Sequence, residues 1–185
     1  MPEESPAHHV KNLCFHHVIP LEAFSKHILW FTNVEGISFI GRCDLPPLSF
    51  RLPQSVTSLA LSPRAVTLVR IRDVLAQLPN LDDLSLSGFL NLVDRRTLSG
   101  IGSVLKGRFG GRLQLLEGFA HEDVMDMLLE VPTGLHFTEI QIRDAHECPL
   151  SAVRLVESCG ETLVKLSYTT SSRCKSRPPS WSRWF

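Results

Sequence analysis

Residues 8–17, HHVKNLCFHH, combine four histidines with Cys14, and imidazole and thiolate are side-chain groups that bind zinc. If this stretch is a strand, Cys14 and His16 lie on one face, because successive side chains of a strand alternate. Zinc needs three or four ligands, and neither CxxC nor HxxxH spacing supplies the others. We therefore predict no metal site and interpret the stretch as the solvent-facing edge of a first structural repeat.

Residues 143–148, RDAHEC, bring Asp144, His146, Glu147 and Cys148 together directly after a predicted strand. The carboxyl ends of parallel strands are where α/β proteins place their ligand sites. Hydrolysis by a triad needs a nucleophile, a base and a group that orients the base, and no second cluster completes such a set. No GxSxG elbow is present. A hydrolase-like enzyme using residues 143–148 is therefore the alternative hypothesis, and no catalytic residue is assigned.

Residues 121–128, HEDVMDML, begin like the zinc-protease motif HExxH, in which two histidines one helical turn apart bind the metal. Met125 occupies the position of the second histidine. Glu122 and Asp123 instead suit the first turn of a helix, where carboxylates meet the positive end of the helix dipole. We predict that a helix begins near His121 and that it binds no metal.

The C-terminal residues 171–185 contain four basic residues, no acidic residue, two prolines and two tryptophans. This composition differs from that of the rest of the chain, and the repeat described below does not continue into it. We predict a basic, disordered tail. Binding of RNA or of a membrane through Trp181, Trp184 and their basic neighbours is a further alternative.

The overall composition indicates a globular protein, with 43% apolar and 21% charged residues in a chain of 185. Nineteen basic and nineteen acidic residues cancel, so no global field attracts nucleic acid or an anionic membrane. Residues 1–9 form a polar extension that does not resemble a signal peptide, and five widely spaced cysteines suit reduced thiols. We expect a cytoplasmic or nuclear protein.

A template of apolar-x-x-apolar-x-apolar recurs along residues 10–170, and its short period-two pattern is typical of a half-buried strand. Its starting positions 10, 34, 56, 81, 110, 137 and 163 lie 22 to 29 residues apart. The copies are Val10, Leu13, Phe15; Val34, Ile37, Phe39; Val56, Leu59, Leu61; Leu81, Leu84, Leu86; Phe137, Ile140, Ile142; and Leu163, Leu166, Tyr168. An imperfect copy has Gly110 in first position, then Leu113 and Leu115.

The segments between the copies carry helical spacing, with apolar residues three or four apart. The predicted helix faces are Leu21, Phe24, Ile28, Phe31; Leu68, Ile71, Leu75, Leu78; Leu98, Ile101, Leu105; Val124, Leu128, Val131; and Leu150, Val153, Val156. Residues 43–55, with three prolines, predict an extended loop in place of a helix.

This alternation resembles the leucine-rich-repeat family, and phrases such as LPNLDDLSLSGF (78–89) and GLHFTEIQI (134–142) resemble the repeat regions of fungal F-box-type proteins. The resemblance is to irregular, helix-rich members, because the family's Asn or Cys after LxL is missing. It implies an α/β solenoid of about seven strand-helix units, with a curved parallel sheet and helices on its outer face. No F-box is seen, so the chain is expected to be a fragment that reaches a ubiquitin-ligase adaptor only through an F-box outside it.

A doubly wound α/β enzyme would also alternate strands and helices. It would require GxGxxG or a phosphate-binding loop after a strand. The glycines between Gly100 and Gly111 precede a strand instead of opening a helix. We therefore favour the repeat fold.

In the leucine-rich-repeat family, residues between the apolar template positions face solvent on the concave sheet. The resemblance therefore implies a partner-binding set: Asp82, Asp83, Ser85, Arg112, Gln114, Thr138, Glu139, Gln141, Lys165 and Ser167. The set mixes charges, which suits a protein partner better than a nucleic acid, whose phosphates require several aligned cations. We predict a non-enzymatic protein-interaction module with no cofactor and with neither a nucleic-acid nor a membrane partner.

Overall fold

The computed structural model describes residues 6–16, 27–41, 45–46, 51–63, 66–88, 100–116, 121–145 and 150–170. Seven strands lie within these ranges. They are β1 (Asn12–Phe15), β2 (Gly36–Gly41), β3 (Ser58–Pro63), β4 (Asn80–Leu86), β5 (Arg108–Leu115), β6 (Leu135–Ala145) and β7 (Lys165–Thr170).

The seven strands form one open sheet in which every neighbouring pair is parallel. Their order in the sheet is their order in the chain. This confirms the α/β class and the parallel sheet that the resemblance to leucine-rich-repeat proteins implies. A doubly wound fold reverses its strand order at a switch point, and the seven described strands have no such reversal.

The apolar template positions face the core, and they are buried in β2 to β6 and partly buried in most positions of the first and last copies. In β4, Leu81, Leu84 and Leu86 are each at most 1% exposed, and they belong to one core with the corresponding residues of the neighbouring strands. Burying a leucine side chain stabilises a fold by about 1.5–3 kcal/mol. The residues between the template positions therefore lie on the opposite face, where solvent reaches them.

Three α-helices lie in the described residues: α1 (Leu68–Leu75), α2 (His121–Leu129) and α3 (Leu150–Ser158). Helix α1 begins after Thr67, whose hydroxyl accepts a hydrogen bond from the Arg70 N–H at 3.3 Å. Its residues Ile71 and Leu75 are fully buried in the same core as the strands. The helices predicted around residues 68–78 and 124–131 are thus confirmed.

Helix α3 buries a different face from the one predicted from Leu150, Val153 and Val156. Leu150 is 72% exposed and Val153 and Val156 are half-buried, with Val156 packed against the core, whereas Ser151, Ala152 and Leu155 are buried. The Ser151 hydroxyl donates to Asp126 Oδ1 of α2 at 2.6 Å. The small residues of α3 therefore allow it to lie close to α2, and this contact sets the rotation of the helix.

The prediction of a helix over Leu98, Ile101 and Leu105 is wrong for the residues that the structure describes, from position 100 onward. Residues 102–104 form a single 3₁₀ turn, and Leu105 is extended. At Gly102 the backbone lies too close to α2 for any side chain, since a Cβ there would lie 1.9 Å from the Met127 carbonyl oxygen. The Glu130 carboxylate also accepts the N–H groups of Gly100 and Gly102, at 2.9 and 2.8 Å.

The imperfect template copy in β5 starts one residue earlier than predicted. Phe109, not Gly110, pairs with Leu81 and is fully buried, while Leu113 and Leu115 hold the predicted positions. One extra residue in β5 shifts the register before Arg112. The shift depends on Gly111, which has a φ of +60°.

The first predicted helix falls mostly on residues that the structure does not describe. Its described end holds a 3₁₀ turn at Ile28–Trp30, with Ile28 buried. Of the proline-containing segment 43–55, the described residues carry no helix, in agreement with the predicted loop. Leu45 and Leu52 of this loop are buried in the core.

Polar side chains just before several strands bond to the preceding unit of the chain. The Ser55 hydroxyl donates to the Val34 carbonyl at 2.7 Å, and the Thr162 hydroxyl donates to the Phe137 carbonyl at 3.1 Å. Asn33 makes a similar bond, of 2.8 Å, to the turn before β1. These bonds satisfy backbone carbonyls between neighbouring strands and help to hold adjacent units in register.

Candidate partner-binding surface

The solvent-facing side of the sheet carries polar residues in two rows that cross neighbouring strands in register. The charged row consists of Asp83, Arg112, Glu139 and Lys165, on β4, β5, β6 and β7 respectively. The amide row consists of Ser85, Gln114, Gln141 and Ser167 on the same four strands. Eight of the ten residues in the predicted partner-binding set therefore lie side by side.

Acidic and basic residues alternate along the charged row, and adjacent members pair. Arg112 donates to both carboxylate oxygens of Asp83, with Nε to Oδ1 at 3.2 Å and Nη2 to Oδ2 at 2.5 Å. Lys165 Nζ lies 3.3 Å from Glu139 Oε2. The row is consequently neutral as a whole.

The hydrogen bonds that Arg112 donates to Asp83 raise the pKa of Arg112, and the charges of Asp83 and Glu139 act in the same direction while desolvation opposes them. Arg112 is cationic with or without this shift, as arginine is in proteins. Its side chain is 49% exposed, and that of Lys165 is 67% exposed. Ion pairs exposed to this extent contribute only about 0.2–1 kcal/mol each, so an incoming charged group can replace one member at low cost.

The amide row contains a direct contact between two glutamines. The side-chain amides of Gln114 and Gln141 lie 2.8 Å apart. With its carbonyl oxygen turned toward Arg143, Gln141 accepts hydrogen bonds from Nε and Nη2 of that residue, both at 2.7 Å. Both glutamines are half-buried, so their amides form a supported polar strip beside the charged row.

The remaining two predicted residues, Asp82 and Thr138, lie outside the two rows. Asp82 is exposed, and its carbonyl oxygen faces Gly111 at the register shift of β5. The Thr138 hydroxyl donates to the Gly111 carbonyl at 3.1 Å. Thr138 therefore supports the pairing of β5 with β6.

The predicted set did not include the residues of β2 and β3 that face solvent, although the same template places them on this side of the sheet. Ser38, Ser58 and Ala60 continue the two rows with short side chains. Gly36 continues the charged row, and a Cβ there would lie 2.3 Å from Asn12 Oδ1. The polar face therefore carries short side chains on β2 and β3. On β4 to β7 it carries mostly long charged and amide side chains.

The other sequence motifs have different outcomes. Helix α2 begins at His121 with Glu122 and Asp123 in its first turn, as predicted, and Met125 is fully buried. Of residues 143–148, the structure describes the backbone as far as residue 145 and the side chain of Arg143. The side chains of the alternative enzyme cluster and the whole of the 171–185 tail lie outside the described residues.

In the HHVKNLCFHH stretch, Cys14 lies in β1 and His16 is the residue after it, and their side chains lie on the same side of the chain and meet. Cys14 Sγ lies 3.2 Å from His16 Nε2, and both side chains are exposed. His8 instead contacts the Thr32 hydroxyl, with Nδ1 at 3.1 Å from Oγ1. Within the described ranges, no group of three or more His, Cys, Asp and Glu side chains is placed to hold a metal ion.

Comparison with known protein families, curated proteins and solved structures gives no match for this chain. Among the helices that the structure describes, none has the length and apolar character that crossing a membrane requires.

Proposed function

We propose that residues 10–170 form a leucine-rich-repeat-like solenoid that binds a protein partner across the solvent-facing side of its sheet and catalyses no reaction. The observation that carries this proposal is the pair of polar rows, which cross β4 to β7 in register. The opposite face of the same strands packs into the core, with its apolar side chains buried in β4 to β6 and partly buried in β7. The polar face is thus the part of the sheet that is available for a partner.

The solenoid part of the proposal is supported by the way the strands follow one another. Each strand pairs with the next strand of the chain, in parallel, over the whole sheet. A single unit has too little apolar surface to fold alone, so each depends on its neighbours to cover its leucines, as in repeat proteins. We expect the parallel sheet to be curved, with its polar face concave.

A protein partner fits the charges of this face better than a nucleic acid does. Arg112 and Lys165, the two cations of the charged row, each contact a carboxylate of the same row. The two carboxylates cancel the charge of these cations, so the row has no net positive charge to attract phosphates, and nucleic-acid binding relies on several aligned cations. A protein surface can supply charges of both signs in a matching order, which gives specificity.

The resemblance to F-box-type repeat regions extends the proposal to the class of partner. In that family the repeats hold the target protein while the F-box docks on a ubiquitin-ligase adaptor. We propose that this chain is a receptor-like piece that holds such a target in the cytoplasm or nucleus. The adaptor contact then belongs to an F-box outside residues 10–170.

Site-specific photocrosslinking tests whether the polar face is the binding surface. A photoreactive amino acid placed at Ser85 or at Ser167 should crosslink a partner in cells. The matched control is the same amino acid at Glu157, which is exposed on α3. Equal capture from Glu157, or capture from Glu157 alone, would reject the polar face as the binding surface.

A charge exchange then separates recognition from stability, using the partner identified by crosslinking. Asp83→Arg breaks the ion pair with Arg112, whereas the double variant Asp83→Arg with Arg112→Asp restores the pair with its charges reversed. We expect the double variant to unfold within about 0.5 M of the wild-type urea midpoint, because the new carboxylate opposite Glu139 costs at most about 1 kcal/mol. It should bind at least about tenfold more weakly, a loss of about 1.4 kcal/mol. Wild-type affinity in the double variant would contradict the proposal.

A further inference from the structure

We propose that the protein partner presents an α-helix to the charged row, with alternating acidic and basic side chains at spacings of three, four and three residues. This inference rests on the proposed function, because it names the chemistry of the partner for the same face. The row offers one charge per strand on β4 to β7, from Asp83, Arg112, Glu139 and Lys165. Since their signs alternate, a complementary surface must alternate in the opposite order.

The distance between strands determines which secondary structure can meet all four charges. Neighbouring strands of a sheet lie about 4.8 Å apart, so the four positions of the row span about 14 Å. An α-helix rises about 1.5 Å per residue, so its positions i, i+3, i+7 and i+10 span about 15 Å. At about 100° per residue, these four side chains lie within about 80° of the helix circumference. A helix lying across the strands therefore places one side chain over each member of the row.

Other peptide geometries fit the row less well. Side chains on one face of an extended strand recur about every 6.8 Å, so four of them span about 20 Å. In a helix with a constant spacing of three residues, the fourth side chain points about 180° away from the first. Spacings of four, three and four residues span about 16.5 Å, about 2 Å more than the row. The pattern of three, four and three residues matches both the length and the direction of the row.

The row is accessible to such a helix. The side chains of Arg112 and Lys165 are 49% and 67% exposed, and those of Asp83 and Glu139 are 27% and 42% exposed. Arg112 contacts Asp83, and Lys165 contacts Glu139, so these contacts hold the charges in place before a partner binds. A helix thus meets four positioned charges and does not have to order flexible side chains.

The amide row gives the helix a second line of contact. It lies two residues further along each strand, about 7 Å from the charged row. A helix with its side chains is about 10–12 Å wide, so a helix with its axis between the two rows covers both. The half-buried side-chain amides of Gln114 and Gln141 can donate and accept hydrogen bonds. Polar, uncharged residues on the adjacent side of the helix suit this row.

The alternating order makes recognition depend on the position of the helix along the row. The row is neutral as a whole, so a partner's net charge contributes little to its attraction. Moving the helix by one strand places like charges opposite each other, which is destabilising. The order of the partner's charges, more than their number, therefore selects the partner.

Stapled helical peptides test this inference with the full chain. Each peptide carries Lys or Glu at positions i, i+3, i+7 and i+10 of an alanine and glutamine helix, in every combination. Fluorescence anisotropy at low salt measures the Kd. The two alternating peptides, Glu-Lys-Glu-Lys and Lys-Glu-Lys-Glu, each match the row in one helix direction. They should bind at least about tenfold more tightly than Glu-Glu-Lys-Lys, which has two repulsive pairs in either direction.

Exchanging charges in the chain should exchange the preferred peptide. In Asp83→Arg with Arg112→Asp, the row reads plus, minus, minus, plus, so Glu-Lys-Lys-Glu should bind most tightly. In Glu139→Lys with Lys165→Glu, the row reads minus, plus, plus, minus, so Lys-Glu-Glu-Lys should. The second exchange keeps the test decisive if the first variant is unstable. Glu157→Lys, at an exposed position of α3, is the matched control and should keep the wild-type preference.

Three results would overturn the inference. They are equal affinity for the alternating and the Glu-Glu-Lys-Lys peptides, a preference that neither charge exchange alters, and absence of binding by any peptide at about 1 mM. Photocrosslinking distinguishes these results from failure of the proposed function. Capture of a partner from Ser85 or Ser167 but not from Glu157, together with any of the three, would reject the helical pattern and retain the polar face as the binding surface.

Discussion

Replacing Gly111 by alanine tests the register shift that aligns the polar rows. Gly111 lies in β5 with a φ of +60°, and a Cβ there would lie 1.9 Å from the carbonyl oxygen of Asp82 on β4. Gly134 provides a matched control, because its φ is +74° and a Cβ there would meet no atom within 4 Å. The two substitutions share the backbone cost and differ in the contact.

The expected difference follows from these two geometries. A residue with a Cβ pays about 1–2 kcal/mol for a left-handed backbone conformation, and this cost is common to both variants. At Gly111 the new carbon would also be about 1.4 Å closer to oxygen than an ordinary C···O contact, so β4 and β5 must separate locally. Losing one or two hydrogen bonds of the strand ladder adds about 2 kcal/mol. We therefore expect Gly111→Ala to cost about 3–4 kcal/mol and Gly134→Ala about 1–2 kcal/mol.

Urea unfolding followed by circular dichroism measures the difference. With a denaturant slope of about 2 kcal/mol/M, a gap of about 2 kcal/mol separates the two midpoints by about 1 M. A Gly111→Ala midpoint equal to that of Gly134→Ala would refute the reasoning, because it would mean that the close approach of β5 to Asp82 does not exist in solution.

Three further expectations can be checked by the same unfolding assay. Leu84→Asp buries an unpaired charge at a fully buried site and should cost more than about 4 kcal/mol. Ser85→Asp places its charge on the solvent face and should not cost that much. Equal urea midpoints for the two variants would contradict this. Leu155→Ala should cost about 2–4 kcal/mol and Leu150→Ala less than about 0.5 kcal/mol. A larger loss for Leu150→Ala would mean that α3 buries the face predicted from the sequence. Burial raises the pKa of Cys159, so the unfolded chain loses this proton first as pH rises, and stability falls above the usual thiol pKa of about 8.5. Cys159→Ala should therefore lose less stability than the wild type between about pH 8 and 10, and identical slopes would exclude this contribution.

The polar face could be predicted in part. Alternation along each strand is a local property, so the template placed Asp83 and Ser85 on the face opposite Leu84. The pairing of Asp83 with Arg112 joins residues 29 positions apart, and that of Glu139 with Lys165 joins residues 26 apart. Only the register of neighbouring strands decides which charges meet, and one extra residue in β5 alters that register.

Helix α3 shows why the helical spacing did not give the buried face. Its sequence LSAVRLVES places apolar side chains on more than one side. Leu150, Val153 and Val156 have helical spacing, but so do Ser151, Ala152 and Leu155. The contact of Ser151 with Asp126 of α2 favours the second face, and the sequence of α3 contains no information about that partner.

The sequence by itself determined the class of the fold, the position of seven strands and the side of each strand that is buried, because a period-two pattern of apolar residues is read from neighbours in the chain. The tertiary structure alone decided the rotation of α3, the register of β5 and the pairing of charges on the polar face. It also decided that Cys14 Sγ and His16 Nε2 meet at the end of the first strand of the sheet. Each of these depends on contacts between residues of different elements or on side-chain conformation, which apolar periodicity does not specify.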